Sequence, residues 1–272
     1  MQTWRFMERP STIGYINAGG RGTRLNGLFT PDPQTGIAKA LLEIGNPSIR
    51  LVDHHISNFR FQNINEVTVA VGDQVEAYEY LKDSYSDDKL LHVTKSQDQI
   101  GTGGDLISYA RTLRADRDII VQNVDTILNI DLDALSNDFR VAATMGAVAC
   151  IALTTSRGVP NEGAFAVNAN SMIMFSDEFP NEPTPDTLDP VHYRASSTGA
   201  VAVTAHFLRS QKWDKSHGQN SLYKDLLHDA WSQGKLSAYN NRDGFFRDVG
   251  TVDSWLMSQD DPFIQENLRY NK

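Results

Sequence analysis

The stretch Asn17-Ala18-Gly19-Gly20-Arg21-Gly22-Thr23-Arg24-Leu25 is the densest concentration of chemistry in the sequence. Its three glycines let the backbone approach a ligand closely and turn N–H groups toward it, and Arg21 and Arg24 set two cations alongside. Such a concavity suits phosphate oxygens. No Gly-Lys-Ser/Thr follows, so the loop is not a P-loop, and Gly20-x-Gly22 lacks the third glycine of a dinucleotide fingerprint. A second cluster, Ile100-Gly101-Thr102-Gly103-Gly104, either lets a flat base lie against backbone or simply opens the helix that follows. Asp125 ends a strand-like run, while Asp131 and Asp133 look like caps of a short turn. His54 and His55 fall in a helical pattern as structural or exposed residues; the other histidines are scattered and suggest no zinc site, and no Ser-His-Asp arrangement emerges.

Strands and helices must hold these groups in place. Thr12–Asn17, Val67–Val71, Leu90–Thr94, Ile119–Val124 and Ala147–Leu153 are short runs bounded mostly by Gly or Asp, as in buried strands of a largely parallel sheet. Between them, Ile49–Phe59 spaces Ile49, Val52, Ile56 and Phe59 by threes and fours, and Val75–Leu81 and Leu106–Leu113 behave alike. The alternation predicts an α/β fold, a Rossmann-like doubly wound mixed sheet. Further strands are expected at Gly163–Val167, Ser171–Phe175 and Gly199–Thr204, with helices at Ser221–Gln233 and Asp253–Ser258. Phe179–Pro190 carries four prolines and reads as a loop. No hexapeptide repeat occurs. A single domain over residues 1–272 is expected, with a half over 12–150 that carries the phosphate-suited loop and a second half over 151–255.

Composition narrows the partners. The 272 residues are 40% hydrophobic and 22% charged, enough for a core that needs neither disulfide nor structural metal. A formal net charge of −9 repels phosphodiester backbones, so no nucleic acid is expected, although a few amides and cations can still hold a small phosphate. The single cysteine, Cys150, permits no disulfide within the chain and fits a reducing compartment. Met1–Pro10 lacks an apolar h-region, and no stretch approaches the roughly 20 apolar residues of a membrane span. A soluble, cytoplasmic protein with no membrane partner is expected.

Gly19-Gly20-x-Gly22-Thr23-Arg24-Leu25 resembles the signature of the sugar-1-phosphate nucleotidylyltransferases, also called NDP-sugar pyrophosphorylases. Four more landmarks follow in that family's order: Lys39 in Ala38-Lys39-Ala40-Leu41-Leu42, Ile100-Gly101-Thr102-Gly103-Gly104, Asn123-Val124-Asp125, and Phe246-Arg247-Asp248-Val249-Gly250-Thr251. The resemblance implies Mg²⁺-dependent transfer of a nucleoside monophosphate from a nucleoside triphosphate to a sugar-1-phosphate or sugar-like phosphate, with pyrophosphate leaving. Catalysis of that kind is positioning plus charge neutralisation. By resemblance, Arg24 holds the departing phosphates, Lys39 stands near the α-phosphate, and Asp125 and Asp248 hold Mg²⁺. Ala18, Gly19, Gly20, Arg21, Gly22, Thr23, Gln97, Gly101, Thr102 and Gly103 belong to the implied nucleotide site. The implied sugar-phosphate site takes Gly163, Glu178, Arg194 and Gly199. The Gly-Thr-Gly-Gly form is similar to the mannose- and heptose-1-phosphate guanylyltransferase branch, which favours GTP over dTTP, UTP or ATP without settling the base; related enzymes commonly self-associate, so a homo-oligomer is one open state.

The departures from the pattern also speak. The segment between Arg24 and Lys39 is longer than the family's and contains Pro31, Pro33 and Gly36, and both prolines that usually flank the lysine are alanines. Glu178-Phe179-Pro180 stands where Glu-Lys-Pro is usual, so another cation must meet the sugar phosphate; Arg194 is the first choice and Arg157 the second. The alternative function is a catalytically weak nucleotide-sugar-binding regulatory subunit, which would be expected to have lost Arg24, Lys39, Asp125 or Asp248. All four are present.

Overall fold

In the computed structural model, which describes residues 12–20, 25, 38–45, 48–95, 100–154, 164–176, 193–214, 216, 218–241 and 244–270, strands and helices alternate through the first half of the chain. The order begins with β1 (Ile13–Asn17), a 3-10 turn at Lys39–Leu41, β2 (Glu43–Ile44), β3 (Ile49–Arg50), α1 (Leu51–Phe61), β4 (Val67–Ala70), α2 (Val75–Ser84) and β5 (Leu91–Thr94). It continues with α3 (Gly101–Thr112), β6 (Asp118–Asn123), β7 (Thr126–Leu128), α4 (Leu132–Thr144), β8 (Ala149–Thr154), β9 (Ala164–Val167) and β10 (Ile173–Ser176). Last come β11 (Tyr193–Thr204), α5 (Ala205–Ser210), a π-helical turn at Leu222–Leu227 running into α6 (His228–Ser232), β12 (Leu236–Asn240), β13 (Phe246–Asp248), α7 (Val252–Ser258) and α8 (Pro262–Tyr270).

The central sheet runs β10-β9-β11-β6-β1-β4-β5, with β8 beside β11 and β12 beside β8. Strand β1 lies parallel to both β4 and β6, and β4 parallel to β5. Their continuous Val and Ile runs are explained by burial on both faces. On one face Ile16, Val69 and Ile120 meet Val52, Ile56 and Phe59 of α1 and Leu81 of α2. On the other, Tyr15, Ile119 and Val121 meet Leu106, Ile107 and Ala110 of α3. Helices α1 and α2 carry the chain outward from β1 to β5, and α3 returns it to β6 on the far flank of β1. The winding therefore reverses between β1 and β6. In open α/β sheets ligands enter at such a point, beyond the carboxyl ends of the strands.

Several elements differ from the expectation. The sheet itself is mixed, as expected: β1, β4, β5 and β6 run parallel, and β11 is antiparallel to β6, β8 and β9. Strand β6 ends at Asn123, one residue short of the expected limit, and Ile49 belongs to β3 rather than to α1. Asp131 does cap, accepting the Ala134 N–H at 2.8 Å, but it opens a full helix, not a short turn. Leu132, Leu135, Phe139 and Ala142, all buried in α4, carry the period that marks it.

Candidate active site

The winding reverses where β1 and β6 end side by side. At their ends the Asn17 amide donates to Asn123 Oδ1 at 3.2 Å, and the Val124 N–H donates to the Asn17 carbonyl at 3.1 Å. Ala18-Gly19-Gly20 leaves β1 there and Val124-Asp125 leaves β6. Next door, β4 ends in a turn at Gly72 (φ +59) so close to β1 that an added Cβ would meet Gly19 Cα at 2.9 Å. Glycine is required at that contact.

Lys39 points into this corner from the 3-10 turn. Its Nζ donates to Asp125 Oδ2 at 2.6 Å, with the two side chains 12% and 16% exposed. A Cβ built on Gly20 would lie 3.5 Å from that Nζ, so Gly20 and the lysine share one patch. The bond is charge-assisted, and its partial burial spares it the screening that weakens exposed pairs. Asp248 arrives from β13, which pairs with β7 so that Asp248 stands opposite Thr126. The Val249 N–H donates to the Asp125 carbonyl at 2.8 Å, and Asp248 Oδ1 accepts the Gly250 N–H at 2.6 Å. Gly199, at φ +80 within β11, approaches Thr126 so closely that a Cβ would sit 3.1 Å from Thr126 Oγ1.

Gly19, Gly20, Lys39, Asp125, Asp248 and Gly199 are thus gathered at one end of the sheet. The arrangement offers an ammonium, outward-facing backbone and carboxylates on two adjoining segments. Two carboxylates match what Mg²⁺ takes from a protein, its other ligands being phosphate oxygens and water. Among the described residues no group of three or more His, Cys, Asp and Glu could hold a metal ion.

Ala18 is buried beside β4, its N–H donating to the Ala70 carbonyl at 2.8 Å. Gly101, Thr102 and Gly103 are the first turn of α3, at the same end of the sheet. The Gly103 and Gly104 N–H groups donate to the Asn220 carbonyl at 2.8 and 3.4 Å, and Asn220 N–H donates back to the Ile100 carbonyl at 2.8 Å. The Thr102 hydroxyl accepts the Leu222 N–H at 3.0 Å. Asn220 therefore caps α3 from a distant segment, a partnership for which the sequence offers no local signal. From the same turn, the Tyr223 hydroxyl meets Ser197 Oγ of β11 at 3.0 Å, linking α3 to the strand that carries Gly199. Arg194 lies in β11 opposite Ala166 of β9. Arg21, Gly22, Thr23, Arg24, Gln97, Arg157, Gly163, Glu178 and Phe179 lie outside the described residues.

His54 and His55 are interior residues of α1, each 1% exposed. Burial, helped by the neighbouring His55, pushes the His54 pKa down to about 3. Burial pushes His55 down as well, against its bonds to Gln122 and Val124. His55 Nδ1 lies 3.0 Å from Gln122 Oε1, and Nε2 lies 3.2 Å from the Val124 carbonyl.

A doubly wound sheet with a lysine, carboxylates and a glycine loop at its switch point is the build of a nucleotide-handling α/β protein. The family model described as "Nucleotidyl transferase" matches residues 13–262, and the chain belongs to that family, as its motifs led us to expect. A curated relative, glucose-1-phosphate adenylyltransferase of Alteromonas mediterranea, is 22% identical over 90% of this chain. The chain spans 60% of that relative's length. Among solved structures, a Bacillus anthracis chain described as a glucose-1-phosphate thymidylyltransferase, in complex with sucrose, superposes with TM-score 0.70 at 17% identity, over 94% of this chain and 96% of its own. HddC from Yersinia pseudotuberculosis, complexed with GMP-PN, has TM-score 0.63 at 16% identity, over 90% of this chain and 97% of its own. No helix among the described residues is long and apolar enough to cross a membrane.

Proposed function

We propose that the chain transfers a nucleoside monophosphate from a nucleoside triphosphate to a sugar-1-phosphate or a sugar-like phosphate. An oxygen of the acceptor phosphate attacks the α-phosphorus, the bond to the β-phosphate oxygen breaks, and pyrophosphate leaves. The observation that carries this reading is the Lys39–Asp125 pair at 2.6 Å, set against Gly20 where β1 and β6 diverge.

Lys39 has three N–H donors and spends one on Asp125, leaving the others for phosphate oxygens. Gly19 and Gly20 let the triphosphate lie against backbone, and Arg24 supplies a planar cation for the departing phosphates. Asp125 and Asp248 would hold Mg²⁺, which when bound neutralises phosphate charge. Gly199 lets β11 approach Thr126 closely on the acceptor side, and Arg194 is the cation proposed for the sugar phosphate in place of the lysine missing at Phe179. Two triphosphates head the candidates: GTP, from the Gly-Thr-Gly-Gly resemblance and a fold neighbour solved with GMP-PN, and ATP, from the adenylyltransferase relatives.

The test is pyrophosphate release with Mg²⁺ across several triphosphates and sugar-1-phosphates. One pair should turn over, and Asp125→Asn should cut that turnover about a hundredfold, the loss of roughly 3 kcal/mol of transition-state stabilisation. Absence of turnover with every pair, with the folded protein still binding a nucleotide sugar, would replace this reading with the regulatory one.

A further inference from the structure

The Val124-Asp125 turn is held from beneath by a side chain that the reaction itself does not use. We propose that His55 is a positioning residue for Asp125: from α1 it grips the Val124 carbonyl and the Gln122 side chain, and so fixes the turn that presents the Asp125 carboxylate to Lys39. The proposal rests on the reading of Asp125 given above.

A carbonyl oxygen can only accept, so the ring nitrogen 3.2 Å from the Val124 carbonyl, Nε2, carries a hydrogen. The ring is buried, and burial favours its neutral form. Nδ1 is then an acceptor and needs a donor at 3.0 Å, where Gln122 Oε1 is placed. Gln122 Nε2 meanwhile is buried with no hydrogen-bond partner. Exchanging the two ends of that amide gives Nδ1 its donor: the Gln122 N–H donates to Nδ1, the Gln122 carbonyl oxygen takes the other position, and every group on the His55 ring is matched. His55 then stands as a single tautomer with one donor and one acceptor, aimed at two residues near the end of β6.

The position matters because the Val124-Asp125 turn is tied on several sides. Val124 N–H is fixed to β1 through the Asn17 carbonyl, and the Asp125 carbonyl is fixed to β13 through Val249 N–H. His55 takes the Val124 carbonyl between them. Released, that carbonyl would be a buried acceptor without its donor, and the peptide would turn to find another. A rotation there swings Asp125 away from Lys39, and small misplacements of reacting groups are costly. An apolar residue would serve the core of α1 equally well, since its neighbours Val52, Ile56 and Phe59 are apolar and buried. What singles out histidine is the pair of polar partners.

Three proteins test this: wild type, His55→Leu, which keeps similar bulk without a donor, and His55→Gln, whose amide can reach as far as Nε2. Nitrogen NMR on wild type should find His55 as the Nε2–H tautomer; a ring protonated on Nδ1 alone would overturn the assignment. In folded His55→Leu, hydrogen-exchange protection at Val249 N–H should fall about tenfold while that at Ile120 holds, since only the tie to the turn is lost. The kcat should drop about tenfold or more with the triphosphate KM little changed, and His55→Gln should restore most of both readouts. Unchanged Val249 protection together with unchanged kcat in His55→Leu would reduce His55 to a core residue. Should wild type turn over no substrate pair while Val249 protection still falls and recovers, the proposed reaction fails and the positioning of Asp125 by His55 stands.

Discussion

Lowering the pH from 7.5 to 5 should destabilise this protein through His54. In an unfolded chain a histidine titrates near 6.5. In the fold, burial and then the neighbouring His55 hold His54 at about 3. Below about pH 6.5 the unfolded chain binds a proton that the folded chain refuses, so protons pull toward unfolding. The stabilisation is complete above about pH 6.5 and is lost progressively until the folded group titrates at about 3. By pH 5 the loss from His54 alone is about 1.5 pH units at roughly 1.36 kcal/mol each, or about 2 kcal/mol. His55, also held down by burial, adds to it in the same direction. Against a typical total of about 5–15 kcal/mol, the effect is measurable.

Urea unfolding at pH 7.5, 6.5, 5.5 and 5.0 reads this directly, and His54→Leu isolates the histidine. The absolute stability of the variant is not the point, since packing changes too. Its pH dependence should be shallower than wild type by about 2 kcal/mol between pH 7.5 and 5.0. Equal slopes in the two proteins would mean that His54 is charged or solvated in the fold, and the burial argument would be wrong.

Gly103→Ala should lower thermal stability by about 1–3 kcal/mol, because a Cβ there would lie 2.1 Å from Asn220 Oδ1, which must turn aside, and 3.0 Å from the Ser221 backbone next to the cap on α3; a melting temperature equal to wild type would show that this segment yields freely. Arg194→Ala should raise the sugar-phosphate KM about ten- to a hundredfold and leave the triphosphate KM in place. A sugar-phosphate KM unchanged in Arg194→Ala but raised in Arg157→Ala would transfer the role to Arg157.

How far the sequence reached depended on the distance over which each feature is encoded. The strands were legible because a doubly buried strand needs a continuous run of Val and Ile, and Val67–Ala70 and Asp118–Asn123 supply it locally. The acid just past the end of β6, Asp125, is likewise encoded locally. Helix α3 was only half legible. Its glycines predict weak helix, and they are helical because the Asn220 carbonyl takes the Gly103 and Gly104 N–H groups from more than a hundred residues away. The Lys39–Asp125 pair is a separation of 86 residues, and His55 to Val124 is 69. No period or spacing announces either. They follow from the order of the sheet: with β6 placed beside β1, the residue after β6 falls next to the loop after β1, and the helix that leaves β3 covers the underside of both. Motifs named the groups proposed to meet phosphate, but only the strand order says which side chain stands beneath the carboxylate, and His55 was visible in the sequence merely as a structural or exposed histidine in a helical pattern.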